Sequence, residues 1–387
     1  MARHLVSDPF SRVALAVMAS LLSVGAQPLM AQTLPQRYAI AQEFVAPAFT
    51  PGGAAVAGIN QVGQAVGNGM LNLGTTTKLV WIGGKLTLVT VPIERTGAML
   101  WTGSQATRLK PLLTNATATV RDVNDSGWAV GDAAKSTATN ASSYAVLWRS
   151  GTVKDLGAGA RSVAQHINAQ GWVAGYRFAS TSASAPMVPF IWRGSSVLTL
   201  SPPSGVSGVG CVGLSDAGVM PCRSHQLTVN PDGSSAYTRT SYLWSNGSYQ
   251  ALTHAGASQV YVGASSANGT VAGTLMLNGD TRERIFIWRN GQFTPLAPMP
   301  EGFSGNVLSV SDAGVVRVQV WSEQLGSTAS LLFTPDGQTV DPRTLGVSSG
   351  EQVLDVADIN GLGQLAAAVR APGSATIRQV LLSPLAP

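Results

Sequence analysis

The chain has 387 residues, only 11% of them charged, with 24 Lys and Arg against 19 Asp and Glu and a pI near 9.4. With no cluster of Lys or Arg, that mild excess excludes the basic stripe of a nucleic-acid binder. The absence of any later run approaching about 18 apolar residues excludes a spanning helix after the first segment.

Arg3 and Arg12 precede an uncharged stretch, Val13 to Ala26, of 14 residues. It is shorter than the roughly 18–20 apolar residues that cross a bilayer, and reads as a secretory signal peptide over residues 1–31, cleaved after Ala26 or Ala31. Cleavage leaves 22 basic and 18 acidic residues in a mature chain of uniform composition, so residues 32–387 are expected to form one domain. Short apolar runs separated by Gly, Asn, Asp and Ser, at roughly 8–12-residue spacing, mark an all-β protein built of hairpins.

Two motifs repeat along this domain. The first appears as GINQVGQAVG (58–67), DVNDSGWAVG (122–131), HINAQGWVAG (166–175), GLSDAGVMPC (213–222), ASSANGTVAG (264–273), SVSDAGVVRV (309–318) and DINGLGQLAA (358–367). Asn60, Asn124, Asn168 and Asn360, or Ser in the other copies, open a tight turn. Gly63, Gly127, Gly171, Gly218, Gly269, Gly314 and Gly363 supply the positive φ that closes it. These glycines are spaced by 64, 44, 47, 51, 45 and 49 residues. The long first interval contains a second Trp-centred run, KLVWIGGKL (78–86), expected as an insertion or an irregular first unit.

The second motif places an apolar triplet before Trp and a turn, as in AVLWRSGTVKDL (145–156) and PFIWRGSSVLTL (189–200), and ends in degenerate forms at 330–340 and 378–384. Its Trp is expected to cover a neighbouring module with the ring while the N–H finds a partner at the edge. One unit is then four short strands, which cannot bury both faces alone, whereas seven in a ring can. The expected fold is a seven-bladed β-propeller, closed by the N-terminal strand 37–42 completing the last blade at 377–382.

Ile-Asn-x-x-Gly-x-Val-x-Gly alternating with apolar-apolar-Trp-x-x-Gly and a closing Asp-Leu resembles the HAF-repeat family of bacterial extracellular repeat proteins. The likeness runs over most of residues 55–370 and is best at 144–176. At the positions of the family's His-Ala-Phe triplet this chain has Tyr144-Ala145-Val146, Val188-Pro189-Phe190 and Arg284-Ile285-Phe286. The resemblance implies a secreted or surface location and a repeat scaffold, and carries no catalytic residue.

Candidate chemistry is sparse. His166, His225 and His254 fall in different units without metal-ligand spacing. Gly346-Val347-Ser348-Ser349-Gly350 matches the string of a nucleophile elbow but lacks an expected helix after it. Asp122-Val123-Asn124-Asp125-Ser126-Gly127 resembles the opening of a calcium loop, with Ala133 at the twelfth position in place of Glu. Trp128 and Trp172, just after the turn glycines, are candidate ligand-binding rings, with inter-blade packing as the competing role. Cys211 and Cys222 are expected to form a disulfide if pairing of Ser215 with Gly218 sets them face to face, whereas a bulge at Gly218 would slip the pairing by one, turn the two side chains to opposite faces and forbid the bond.

The expected function is a secreted or periplasmic binding module with no catalytic site, cofactor or metal. It would be a monomer, holding an unknown protein or glycan partner on an axial face through the loops 134–143, 178–187 and 228–240. A propeller-based enzyme or lectin acting on extracellular glycans is one alternative. An outer-membrane β-barrel is the other, weakened by a terminal Leu-Ala-Pro with no closing aromatic strand.

Overall fold

Turn chemistry sets the module. The computed structural model describes residues 33–385 apart from 51–53, 139, 181, 183, 184, 207, 230–234 and 323–326. In it Gly63, Gly127, Gly171, Gly218, Gly269, Gly314 and Gly363 all take φ between 72° and 86°, where a side chain would be strained. In the second copy Gly127 N–H donates to the Asn124 carbonyl, and Asn124 Oδ1 accepts from Ser126 N and Trp128 N. The expected signal peptide and both of its cleavage sites lie outside the described residues.

Seven sheets follow. The first blade comprises Ala55–Ile59, Ala65–Ile82, Lys85–Thr102 and Gln105–Leu109. The second has Ala118–Val123, Ala129–Ala134, Ser143–Arg149 and Thr152–Ala160. The third has Ser162–Ile167, Val173–Phe178, Met187–Trp192 and Val197–Thr199. Blades four and five run Gly210–Cys211, Met220–Val229, Ser235–Ser245, Ser248–Ala251 and then Ala257–Ser265, Val271–Leu277, Arg284–Arg289, Gln292–Pro298. Blade six has Ser304–Val310, Val316–Ser322, Ser327–Phe333 and Thr339–Val340. Blade seven takes Gln352–Ile359, Leu365–Arg370 and Ile377–Pro384 from the end of the chain and Arg37–Glu43 from its beginning. The chain is an all-β seven-bladed propeller. Its separate sheets rule out the alternative of one closed outer-membrane barrel.

Closure follows the expected pairing, with Ile40 opposite Leu382 and Glu43 opposite Val380. Gly346–Val347 adds a short parallel strand outside Arg37–Glu43 and covers the edge that the closing strand would otherwise expose. The core lies between blades: one cluster joins Val66 and Ala98 of the first blade to Val120, Ala129 and Trp148 of the second. Of the motif tryptophans, Trp101, Trp148, Trp192 and Trp244 are buried and Trp288 is half-buried. Trp101 Nε1 donates to Val45 O and Trp148 Nε1 to Lys110 O, at 2.8 and 2.7 Å.

A one-residue excess in the inner strands shapes everything near the axis. The register slips at Ala57, Arg121, Gln165, Gly263, Leu308 and Ala357, each three residues before the turn residue. Four blades have glycine opposite the slip, because a Cβ at Gly67, Gly131, Gly175 or Gly273 would lie 2.4 Å or less from a carbonyl of the inner strand. In the fourth blade this position is Cys222, bonded to Cys211 across a Cα separation of 3.9 Å. The disulfide forms as expected, but the turn does not pair as expected. Ser215 N donates to Val219 O, not across to Gly218, and the extra residue of the inner strand restores the register by Cys211.

The KLVWIGGKL run belongs to an irregular first unit, the second of the two expected alternatives. It is the tip of the second and third strands of the first blade, each 18 residues long. Residues 228–240, expected as a loop, are largely the strands Met220–Val229 and Ser235–Ser245, with 230–234 outside the described residues. Among the described residues no helix is long and apolar enough to cross a membrane.

Candidate axial site

The inner strands surround a cavity of about 380 Å³ at the end of the axis where the Asn and Ser turns converge. In a β-bulge two successive side chains share one side of the strand, so Arg121 with Asp122, Gln165 with His166 and Leu308 with Ser309 all line it. The position two residues before the turn carries Gly58, Asp122, His166, Gly213, Ala264, Ser309 and Asp358 in successive blades. A Cβ at Gly58 would sit 3.7 Å from Asp358 Oδ2 and 3.5 Å from the Arg121 carbonyl. The missing side chain there leaves the lumen open between Asp358 and Asp122.

Both carboxylates bridge blades. Asp122 accepts from Val123 N at 2.8 Å and from Ile167 N of the next blade at 2.9 Å; Asp358 accepts from Ile359 N and, across the closure, from Ile59 N at 3.0 Å. Each keeps some surface open to the lumen but is enclosed by protein. Burial pushes the Asp122 carboxyl up to about 7, with repulsion from Asp358 adding to it against the two backbone bonds. Burial also raises Asp358, while the backbone bonds, Ser309 and Arg317 hold it back. His166 is lowered to about 4 by burial and by the Arg121 cation, so it is neutral at pH 7.

Around the lining, Asp122, Asp125, Asp216, Asp312 and Asp358 face two cations, Arg121 and Arg317. The cavity is therefore acidic in a chain of net charge +5. A cationic guest would relieve the repulsion between Asp122 and Asp358, which a neutral or anionic guest would not.

Sequence reasoning placed other residues at the site. Trp128 packs on the turn of the next blade, where a Cβ at Gly171 would lie 2.4 Å from its ring, and Arg149 stacks over it at 3.9 Å. Trp172 packs on Gly218 in the same way under Arg193 at 4.3 Å. Both are inter-blade spacers and neither lines the cavity. The calcium-loop oxygens are occupied: besides Asp122, Asn124 serves its own turn and Asp125 accepts from Gln61 N of the first blade. Ser348 is exposed, and after it comes the inner strand Gln352–Ile359, not a helix. His254 stacks edge-on to Phe293 at 5.2 Å, away from the axis, and the His225 side chain lies outside the described residues. Of the described histidine side chains, His166 lines the site and His254 does not. The signal that would have found it is the register, since His166, Asp122 and Asp358 hold the same place in their repeats.

No family model matches the chain, and no curated protein matches it. Among solved structures it is similar to the β-propeller domain of the trilobed protease from Pyrococcus furiosus, described as having an open velcro topology. That match has a TM-score of 0.51 and 11% identity, and covers 85% of this chain and 94% of that one. The acylaminoacyl peptidase of Pyrococcus horikoshii matches with a TM-score of 0.49 and 11% identity over 84% of this chain; the chain spans about half, 52%, of that protein. The dipeptidyl peptidase 4 of Porphyromonas gingivalis matches at 0.43 and 12%, over 77% of this chain and 50% of that one. At these identities the likeness is one of fold. The propeller of the trilobed protease is nonetheless a domain of an enzyme, which corrects the expectation that this scaffold marks a non-catalytic binding module.

Proposed function

We propose that this chain is a peptidase-related propeller whose axial cavity receives the cationic amino terminus of a peptide. One observation carries the reading: five carboxylates and two guanidinium groups line a cavity at the turn end of the axis of a net basic chain. About 380 Å³ lies within the range of roughly 300–1,000 Å³ for small-ligand sites, enough for the end of a peptide and too little for a folded partner. The propeller of the trilobed protease supports peptides as the class of guest.

The test is binding of a fluorescent short peptide with a free α-amino group, against the same peptide N-acetylated. Binding that is lost on acetylation, and weakened in Asp358→Asn, is expected. Equal binding of both peptides, or of neither, would overturn the reading. Mass spectrometry of the bound peptides reports whether the chain also hydrolyses them.

We also place the protein outside the cytoplasm, in the secreted or periplasmic setting that the HAF-like repeats suggest. The Cys211–Cys222 bond supports this, because disulfides persist in oxidising compartments. Protection of both thiols from alkylation in denatured, unreduced protein taken from cells is expected; two reactive thiols would count against it.

A further inference from the structure

We propose that the overhanging hairpin of the first blade is a docking arm for an anionic lipid bilayer surface. The second and third strands of this blade pair from Ala65 with Trp101 out to Ile82 with Lys85. Past the irregularity between Asn72 and Thr75, residues 75–82 and 85–92 have no further strand beside them in the sheet. An isolated two-stranded ribbon is marginally stable in water, and this one is also apolar. Leu79, Trp81 and Leu88 are 64%, 69% and 69% exposed, and Val80, Ile82 and Leu86 are exposed with them.

The pairing assigns these side chains to faces. Leu79 lies opposite Leu88 and Trp81 opposite Leu86, so the four share one face; Val80 and Ile82 lie on the other. A protein partner would cover one face and leave the other in water, whereas the interfacial layer of a bilayer surrounds the tip. A second copy is disfavoured by size. Eight residue pairs make a ribbon about 26 Å long and about 10 Å across, a face of about 260 Å² against the roughly 800 Å² per partner of a stable interface.

Charge selects the kind of surface. From Thr75 to Ile93 the only charged residues are Lys78 and Lys85. Their long stems let the ammonium groups reach headgroups while the tip lies among acyl chains, and Trp favours the same depth. The base is braced, since Arg95 Nη2 donates to Thr137 O of the second blade. The arm leaves the blade at the end opposite the Asn60–Gly63 turn, so docking would leave the axial cavity facing away from the bilayer.

The experiment is co-sedimentation of the purified processed chain with vesicles of phosphatidylcholine alone or mixed with phosphatidylglycerol. Binding to the mixed vesicles is expected. The double variant K78Q/K85Q should bind about thirtyfold more weakly, the share of two lysines near an anionic surface. The triple variant L79S/W81S/L88S should not bind at all, with an unchanged thermal midpoint because these side chains pack on nothing in the propeller. Failure of the unaltered chain to sediment with either vesicle, or equal binding by the triple variant, would overturn the proposal. So would a dimer that the triple variant abolishes in a chain that ignores vesicles. Peptide binding at the axial cavity is a separate readout, and its loss leaves this result unaffected.

Discussion

Four consecutive turns around the axis are joined differently from the three that follow. Asn360 Nδ2 donates to Asn60 O, Asn60 to Asn124 O, Asn124 to Asn168 O and Asn168 to Ser215 O, at 3.0, 2.9, 2.9 and 3.1 Å. Ser215, Ser266 and Ser311 hold the same place in the next three blades, and no bond from their hydroxyls reaches the following turn. Ser215 and Ser311 accept from Val219 N and Val315 N of their own turns, and Ser266 donates to Asn268 Oδ1. Later turn residues alone link blades in this arc: Asp216 N donates to Ala267 O, and Asn268, third in its turn, donates to both the carboxylate and the carbonyl of Asp312. In the first arc such links, as from Gln61 N to Asp125 and from Ala169 N to Asp216, only add to the amide bonds. An amide can accept within its turn and donate outside it, which a hydroxyl this short does not manage. The amide arc also spans the junction of blades seven and one, beside the closure, where Arg37–Glu43 is held to Ile377–Pro384 by strand pairing, packing and the Arg378–Glu43 ion pair and not by the chain.

If the closure is the weak joint that the amide arc reinforces, its buried anchor should matter most. Tyr38 is fully buried in the cluster of the last blade, and its hydroxyl has no partner among the described residues. Tyr38→Ala is expected to cost about 3–5 kcal/mol in urea unfolding, and Tyr38→Phe under about 1 kcal/mol, because the ring stays and only an unpaired hydroxyl leaves. A small effect of the alanine would show that the ring does not depend on the closing strand.

The next effect concerns the inner strands of both arcs. A Cβ at Gly131 would meet Thr119 O at 1.9 Å, so Gly131→Ala is expected to cost about 1–3 kcal/mol of overpacking. Gly208, with nothing within 4 Å, should tolerate alanine within about 0.5 kcal/mol.

Asp122 and His166 make opposite contributions to the pH dependence. Between pH 3.8 and about 7 the folded chain holds a proton on Asp122 that the unfolded chain lacks, so this group stabilises less as pH rises through that window. Between about 4 and 6.5 the unfolded chain holds a proton on His166 that the folded chain lacks, so stability falls as pH drops. Relative to the unaltered chain, Asp122→Asn should gain stability from pH 4 to 8, by about 1–2 kcal/mol once water in the lumen is allowed for. His166→Gln should instead gain toward pH 4. Parallel denaturation midpoints in both variants would mean the two groups titrate as in solution.

The architecture was legible because it is written seven times: turn glycines need positive φ, and repetition makes that need visible in one chain. The closing strand could be read as well, since the last unit lacks a strand and residues 37–42 have no unit. The site was not legible, because it is made from positions where the repeats differ. Asp122, His166 and Asp358 look scattered in the chain and meet only when the ring aligns the units. Trp128 and Trp172 drew attention as large rings in variable places, yet they face the turn glycines 171 and 218 of the next blades. The disulfide shows both sides: the pair was right, while the turn register proposed for it was off by one and an unforeseen bulge corrected it.

The smallest effect bears most directly on the two arcs. Asn124→Ser keeps an oxygen able to accept from Trp128 N, as Ser215 does from Val219 N, but removes the donor to Asn168 O. The cost should be about 1 kcal/mol, the net worth of one buried hydrogen bond. The reverse change, Ser215→Asn, offers the fourth blade a donor toward the fifth, where Asp216 N already bonds Ala267 O. It should gain at most a few tenths of a kcal/mol, because that junction is already bonded. Combined, the two changes move the boundary of the amide arc and should add, since each acts at a different junction. A gain from Ser215→Asn as large as the loss from Asn124→Ser would mean that the serine arc is a weaker version of the other and not a second way of joining the same modules.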